Sequence, residues 1–193
     1  DGNIIQVDPV TEEETVIVEK LKLTDPETNK LLIPQSYEFN SNYTRVLIFT
    51  NTVKVWRYNS MGDYWLYDII ANKLTKMGKT LPARSLMFAK FSPDGKAVAY
   101  VNEHNIYSED LSSGAITKLT KDGTRKLING TFDWVYEEEF NCRDGFRWSP
   151  DGTMIAFWQV NATKIRDYYM LNTTDSNYSQ VIPVEYPKVG ETP

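Results

Sequence analysis

The run Phe91-Ser92-Pro93-Asp94-Gly95-Lys96-Ala97-Val98-Ala99-Tyr100 recurs as Trp148-Ser149-Pro150-Asp151-Gly152-Thr153-Met154-Ile155-Ala156-Phe157. A degenerate copy with one extra residue runs from Phe39 to Phe49. Such a repeat constrains the fold more than any segment read alone, because each copy must be one unit of a larger array. Within a copy the pattern is strand, tight turn, strand. Pro93 and Pro150 preset φ, Asp94 and Asp151 favour the turn, and Gly95 and Gly152 can take the left-handed conformation that closes it. An apolar stretch suited to a strand buried on both faces follows each turn. In the middle copy, Asn105 to Asp110 leads through residues 111–114 into 115–119 as a second, outer hairpin. Residues 63–68 and 72–75 repeat that hairpin in the preceding unit.

Four strands per unit, at spacings of 52 and 57 residues between copies, predict β-propeller blades. An antiparallel sandwich also strings short strands between turns, but it has no reason to repeat one aromatic-Ser-Pro-Asp-Gly word. The expected fold is therefore all-β, a partial β-propeller of about three to four four-stranded blades. At this repeat length residues 1–193 make about three and a half blades, where a closed propeller needs at least four. The expectation is an arc of a larger propeller, with open edge strands that would associate with further strands.

One segment departs from the repeat. Thr131-Phe132-Asp133-Trp134-Val135-Tyr136-Glu137-Glu138-Glu139-Phe140 lies between the second hairpin and the third copy. With Thr131 or Asp133 as N-cap and three glutamates following, it predicts a short helical insertion. Three consecutive glutamates are usually a solvated helix face. Here Phe132, Trp134, Tyr136 and Phe140 flank them and would anchor the segment, and insertions on a rigid scaffold commonly carry function. Neighbouring helical residues lie about 100° apart, so two adjacent carboxylates can converge on one cation while the third points away. Spacing alone leaves open whether the pair is Glu137 with Glu138 or Glu138 with Glu139.

Composition narrows the classes. Lys plus Arg number 21 against 26 Asp plus Glu, and the net charge of -5 argues against a general nucleic-acid or anionic-membrane binder. A single cysteine, Cys142, excludes an internal disulfide and a CxxC site, and one histidine, His104, removes most metal designs. No cofactor and no metal are expected. There is no long apolar run and no basic-then-apolar leader, and the sequence begins with Asp rather than Met.

Asp133-Trp134-Val135-Tyr136-Glu137-Glu138-Glu139 resembles the double-glutamate motif of the dipeptidyl peptidase IV family of serine exopeptidases. The resemblance extends over most of the chain through Lys54-Val55-Trp56-Arg57, Asn105-Ile106-Tyr107, the Trp148-Ser149-Pro150-Asp151-Gly152 turn and Tyr186-Pro187-Lys188. It implies that Glu138 and Glu139 hold the free α-ammonium of a peptide substrate. It likewise implies that Arg57 donates to the carbonyl oxygen of the second residue from the scissile bond. It carries the family's reaction, release of N-terminal dipeptides, typically Xaa-Pro. The implied partners are peptides with a free N-terminus, a C-terminal α/β-hydrolase domain of the same protein and, as in many members, a second copy of the chain.

Departures from the family pattern are equally informative. A hydrolase of this type needs a Gly-x-Ser-x-Gly elbow followed by an acid and a histidine, and neither elbow nor suitable histidine is present. His104 falls in a loop between blade strands. No catalytic residue is assigned to this chain, which should bind without cleaving. The rivals are a non-catalytic interaction propeller from a peptidase homologue and an envelope protein-docking propeller. Asn-x-Ser/Thr sequons begin at Asn42, Asn129, Asn161, Asn172 and Asn177. The Ser-Pro-Asp-Gly repeats and the Phe140-Asn141-Cys142-Arg143-Asp144-Gly145 stretch resemble bacterial members of the family more than animal ones, which implies a protein of the bacterial periplasm, cell envelope or exterior.

Overall fold

In the computed structural model residues 2–191 are described. They fall into two compact units. One holds the residues up to Tyr100 with Ser108–Thr117, and the other holds Val101–Tyr107 with the residues from Lys118 onward.

The first unit opens with an antiparallel hairpin of β1 (Ile4–Val7) and β2 (Glu14–Val18), followed by a 3-10 turn over Lys20–Leu23. Strands β3 (Ser36–Phe39), β4 (Arg45–Val55), β5 (Tyr58–Asp68) and β6 (Lys73–Lys76) then form an antiparallel meander, each paired with the next. Strands β7 (Leu86–Phe91), β8 (Ala97–Asn102), β9 (Asn105–Asp110) and β10 (Ile116–Lys118) repeat that order. These are the two complete four-stranded blades expected from the repeat, and the boundary between the units crosses β8 and β9. Blade-to-blade pairing is confined to Met61 opposite Met87 and Gly62 opposite Leu86.

The repeated word builds the same turn twice. Ser92 Oγ donates to Asp94 Oδ1 (2.7 Å) and accepts from the Ala97 N–H (3.0 Å). Ser149 does the same with Asp151 (2.6 Å) and Met154 (2.9 Å). These bonds favour the ionised carboxylates, so the serine hydroxyl and turn amides hold Asp94 below its ordinary range and Asp151 down to about 2. In the degenerate copy Asn40 takes over, its Oδ1 accepting from the N–H groups of Thr44 (3.0 Å) and Arg45 (2.9 Å).

Apolar runs after the turns are buried as expected in β4 and β8, where Val46, Ile48, Val98 and Ala99 are sealed from solvent. Val46 and Ile48 join Ile4, Val18, Leu23, Leu32, Trp65 and Tyr67 in one cluster. Each large aliphatic side chain buried there stabilises by roughly 1.5–3 kcal/mol relative to exposure.

The second unit contains β11 (Leu127–Asn129), helix α1 (Trp134–Phe140), β12 (Phe146–Trp148), β13 (Ile155–Phe157), β14 (Gln159–Asn161), β15 (Asp167–Asn172) and β16 (Gln180–Glu185). Here the third repeat copy differs from the other two. Instead of one four-stranded sheet, the described residues form the antiparallel pairs β12 with β13, β11 with β14, and β15 with β16. The reason lies at Trp158. Its N–H donates to the Gly145 carbonyl and its carbonyl accepts from Gly130, so the chain leaves β12 and joins β11 at that residue. β13 has β12 alone beside it, and Ala156 and Phe157 stand exposed where β4 and β8 were buried.

Candidate functional site

The helical insertion is held at a narrow neck. Gly145 N–H donates to the Gly130 carbonyl (3.0 Å), which brings the start and end of the inserted segment together. Gly130 sits at φ 76°, and a Cβ there would lie 2.8 Å from Ile106 and 2.9 Å from Val101. Only glycine meets both the backbone angle and the close approach. Just before the neck, Asn129 is fully buried, donating to the His104 carbonyl (3.2 Å) and Asp122 (3.0 Å) and accepting from Gln159 (2.8 Å). Of the five sequons, this one is structural, with no room for a glycan on its amide.

Asp133 is the N-cap, its Oδ1 accepting from the Tyr136 N–H at 3.2 Å. The helix stops at Asn141, which takes the left-handed conformation (φ 58°), and the Cys142 N–H returns to the Tyr136 carbonyl. Aromatic contacts fix its orientation: Trp134 packs on Tyr186 (ring centroids 4.8 Å) and Phe132 on Tyr136 (5.7 Å). The support beneath is charged. Asp167 and Glu185 face each other across β15 and β16, an unfavourable like-charge pair by itself. Arg125 bonds to both, and Lys126 pairs with Asp167 at 2.9 Å.

Burial separates the three glutamates. Glu137 is 4% exposed, with Oε1 3.7 Å from Arg143 Nε, an ion pair beyond hydrogen-bond reach. Glu138 is half-buried and Glu139 is exposed. Burial pushes the Glu137 carboxyl up to about 7, with Arg143 opposing the shift and Glu138 adding to it. Asp133 is raised as well, chiefly by burial, and its Oδ2 is buried without a hydrogen-bond partner. The insertion thus buries two carboxylates, Asp133 and Glu137, with Arg143 as counter-charge to Glu137, and leaves Glu138 and Glu139 nearer solvent.

Arg57 belongs to the other unit. It occupies the two-residue turn Trp56-Arg57 between the paired residues Val55 and Tyr58, at the exposed tip of the β4–β5 hairpin. Trp56 carries a positive φ of 55° there. His104 also sits in a turn, between β8 and β9, with φ 62°; burial lowers its pKa, against the pull of Glu185 and Glu103. Among the described residues no group of three His, Cys, Asp or Glu side chains is arranged to hold a metal ion. Among the described residues no helix is long and apolar enough to cross a membrane.

Sequence reasoning did not find Arg143, whose pairing with Glu137 spans the helix C-cap. Nor did it find the Arg125–Asp167–Glu185 support. The acidic pair at the open end of the β15–β16 ladder and the adjacent Arg125-Lys126 were the available signals.

Blades built on the repeated turn, with an acidic helix inserted ahead of its third copy, define a β-propeller region. Residues 40–193 match the family model described as the dipeptidyl peptidase IV (DPP IV) N-terminal region, and the chain belongs to that family. The chain is 31% identical over 196 aligned positions to the dipeptidyl-aminopeptidase B of Aspergillus niger, covering 95% of this chain and 21% of that protein. Among solved structures, dipeptidyl peptidase 4 of Porphyromonas gingivalis superposes with a TM-score of 0.78 at 26% identity, covering 98% of this chain and 29% of that one. The chain thus spans about a fifth of the length of the curated relatives it matches, 19% and 21% for two of them. Fungal and bacterial proteins both appear among its relatives.

Proposed function

We propose that this chain is the substrate-recognition region of a dipeptidyl peptidase IV-like serine exopeptidase, which releases N-terminal dipeptides, typically Xaa-Pro, outside the cytoplasm. Glu138 and Glu139 hold the substrate's α-ammonium, and Arg57 donates to the carbonyl of its first residue. A C-terminal α/β-hydrolase domain of the same protein supplies the nucleophile.

The observation that carries this reading is the burial of Glu137 against Arg143, which leaves Glu138 and Glu139 as the adjacent pair toward solvent. Two carboxylates held together repel unless a cation lies between them, and an ammonium offers three donors to such a pair. Pinning the chain start fixes which bond reaches the nucleophile, so the enzyme counts two residues by geometry. Arg57 suits its role because a guanidinium presents several donors in a rigid fork.

The test is kinetic, on the protein that carries this region with its hydrolase domain. Losing a hydrogen bond to a charged group costs roughly 1.5–3 kcal/mol, so Glu138→Ala or Glu139→Ala should each lower kcat/KM on an unblocked Xaa-Pro substrate by roughly 10- to 150-fold. Wild-type kinetics in both variants would overturn the assignment.

A further inference from the structure

The hairpin that ends in Arg57 is irregular at its base. Thr50 pairs with Asp63 and Val53 with Met61, so Asn51 and Thr52 on β4 stand opposite Gly62 alone on β5. This is a β-bulge, with one extra residue on β4, and Asn51 takes the left-handed conformation (φ 50°). A bulge bends its strand and increases the local twist, so it sets the direction in which the rest of the hairpin leaves the sheet. Arg57 lies beyond it at the tip, past a second bulge where Asn59 and Ser60 on β5 stand opposite Lys54 alone.

Bulge carbonyls fall out of the regular ladder, and here both find the same partner. Arg84, in the connection between β6 and β7, donates from Nε to the Asn51 carbonyl (2.9 Å) and from Nη2 to the Thr52 carbonyl (2.9 Å). Its own N–H donates to Asp63 Oδ1 (2.8 Å). Asp63 is 5% exposed; it also accepts from Asn51 Nδ2 (3.0 Å) and pairs with Lys76 at 3.3 Å. Arg84 itself is held at φ 59°, a left-handed angle that a non-glycine residue keeps only when its surroundings over-determine it. A guanidinium is the one side chain that can span two consecutive carbonyls with a fixed fork.

We propose that Arg84 is a positioning residue for substrate binding: by clasping both bulge carbonyls it fixes the pitch of the β4–β5 hairpin and so the place at which Arg57 meets the substrate. This rests on the role proposed above for Arg57. Arg84 needs no contact with the substrate. Lysine at this position would keep the charge but has no rigid fork to hold both carbonyls in place.

A double-mutant cycle on the full protein tests this, with kcat and KM measured on an unblocked Xaa-Pro substrate and thermal unfolding followed in parallel. Arg84→Ala should raise KM about tenfold with kcat changed less than about twofold, the pattern of lost binding in ground and transition states alike. Arg84→Lys should fall between Arg84→Ala and wild type, and it serves if the alanine variant does not fold. In an Arg57→Ala background the Arg84 substitutions should change KM by less than about twofold, since residues acting through one another are non-additive. An Arg84 effect of equal size with and without Arg57 would overturn the inference and leave the reading of Arg57 intact. Wild-type kinetics for Arg57→Ala alone would overturn that reading, and the inference with it.

Discussion

At the scale of single residues, Gly62 shows how little freedom the β4–β5 hairpin has. Its φ is not positive, so the demand is steric: a Cβ would lie 2.6 Å from the Thr50 carbonyl and 2.7 Å from Phe49 Cε2. The first obstacle is backbone and cannot swing aside. Gly62→Ala should therefore destabilise the protein by about 1–3 kcal/mol, the usual cost of overpacking, read as a lowered unfolding midpoint in urea. An unchanged midpoint would mean that the bulge opposite is softer than its hydrogen bonds imply. None of this was legible in the sequence, where Gly62 is one glycine within a strand. Asp133, by contrast, was named as a cap candidate from sequence, because a cap bond spans three residues and needs no tertiary partner. Thr131, the other candidate, lies outside the helix.

At the scale of elements, α1 is the case where sequence and structure divide the work. The insertion, its helical character and the anchors Phe132 and Trp134 were readable from composition and from the break in the repeat, whereas Tyr136 and Phe140, expected to anchor too, stand exposed. Which of the three glutamates is buried was not readable, because that depends on Arg143 reaching back past the left-handed Asn141 to Glu137. The same pairing has a pH signature. The folded carboxyl of Glu137 titrates at about 7, above its ordinary 4.5. Between those values the folded state keeps a proton that the unfolded state has released, so this group's contribution to stability falls as pH rises through the window. Asp133, also raised by burial, acts in the same direction. Glu137→Gln removes the buried charge while keeping the shape. The unfolding temperature of the wild-type protein should fall more between pH 5 and pH 7.5 than that of the variant. Equal declines would show that Glu137 is not the titrating group.

For the molecule as a whole, the repeat was the strongest signal and the structure follows it closely for two blades. In both, the Ser-Pro-Asp-Gly word or its Asn40 variant closes the turn with local hydrogen bonds, and the strand after it is buried. The third copy keeps the turn and loses the regular sheet, since Trp158 hands the chain from β12 to β11 at the neck of the insertion. Sequence alone could not show this, because the repeat reports the turn and not what pairs with the strands around it. The β15–β16 hairpin was missed for a related reason: Tyr168-Tyr169-Met170-Leu171 lacks the polar-apolar alternation that marks a half-buried strand, and all four side chains are exposed. In the function proposed above, this region selects substrates by their free amino terminus. The most direct measurement compares kcat/KM for an Xaa-Pro substrate and its N-acetylated form, in the wild-type full protein and in the Glu138→Gln/Glu139→Gln double variant. Two charge-assisted hydrogen bonds, each worth roughly 1.5–3 kcal/mol, predict a wild-type preference for the free amine of at least about 100-fold, falling to near unity in the double variant. Equal rates for both substrates in the wild type, or a preference undiminished in the double variant, would contradict the account.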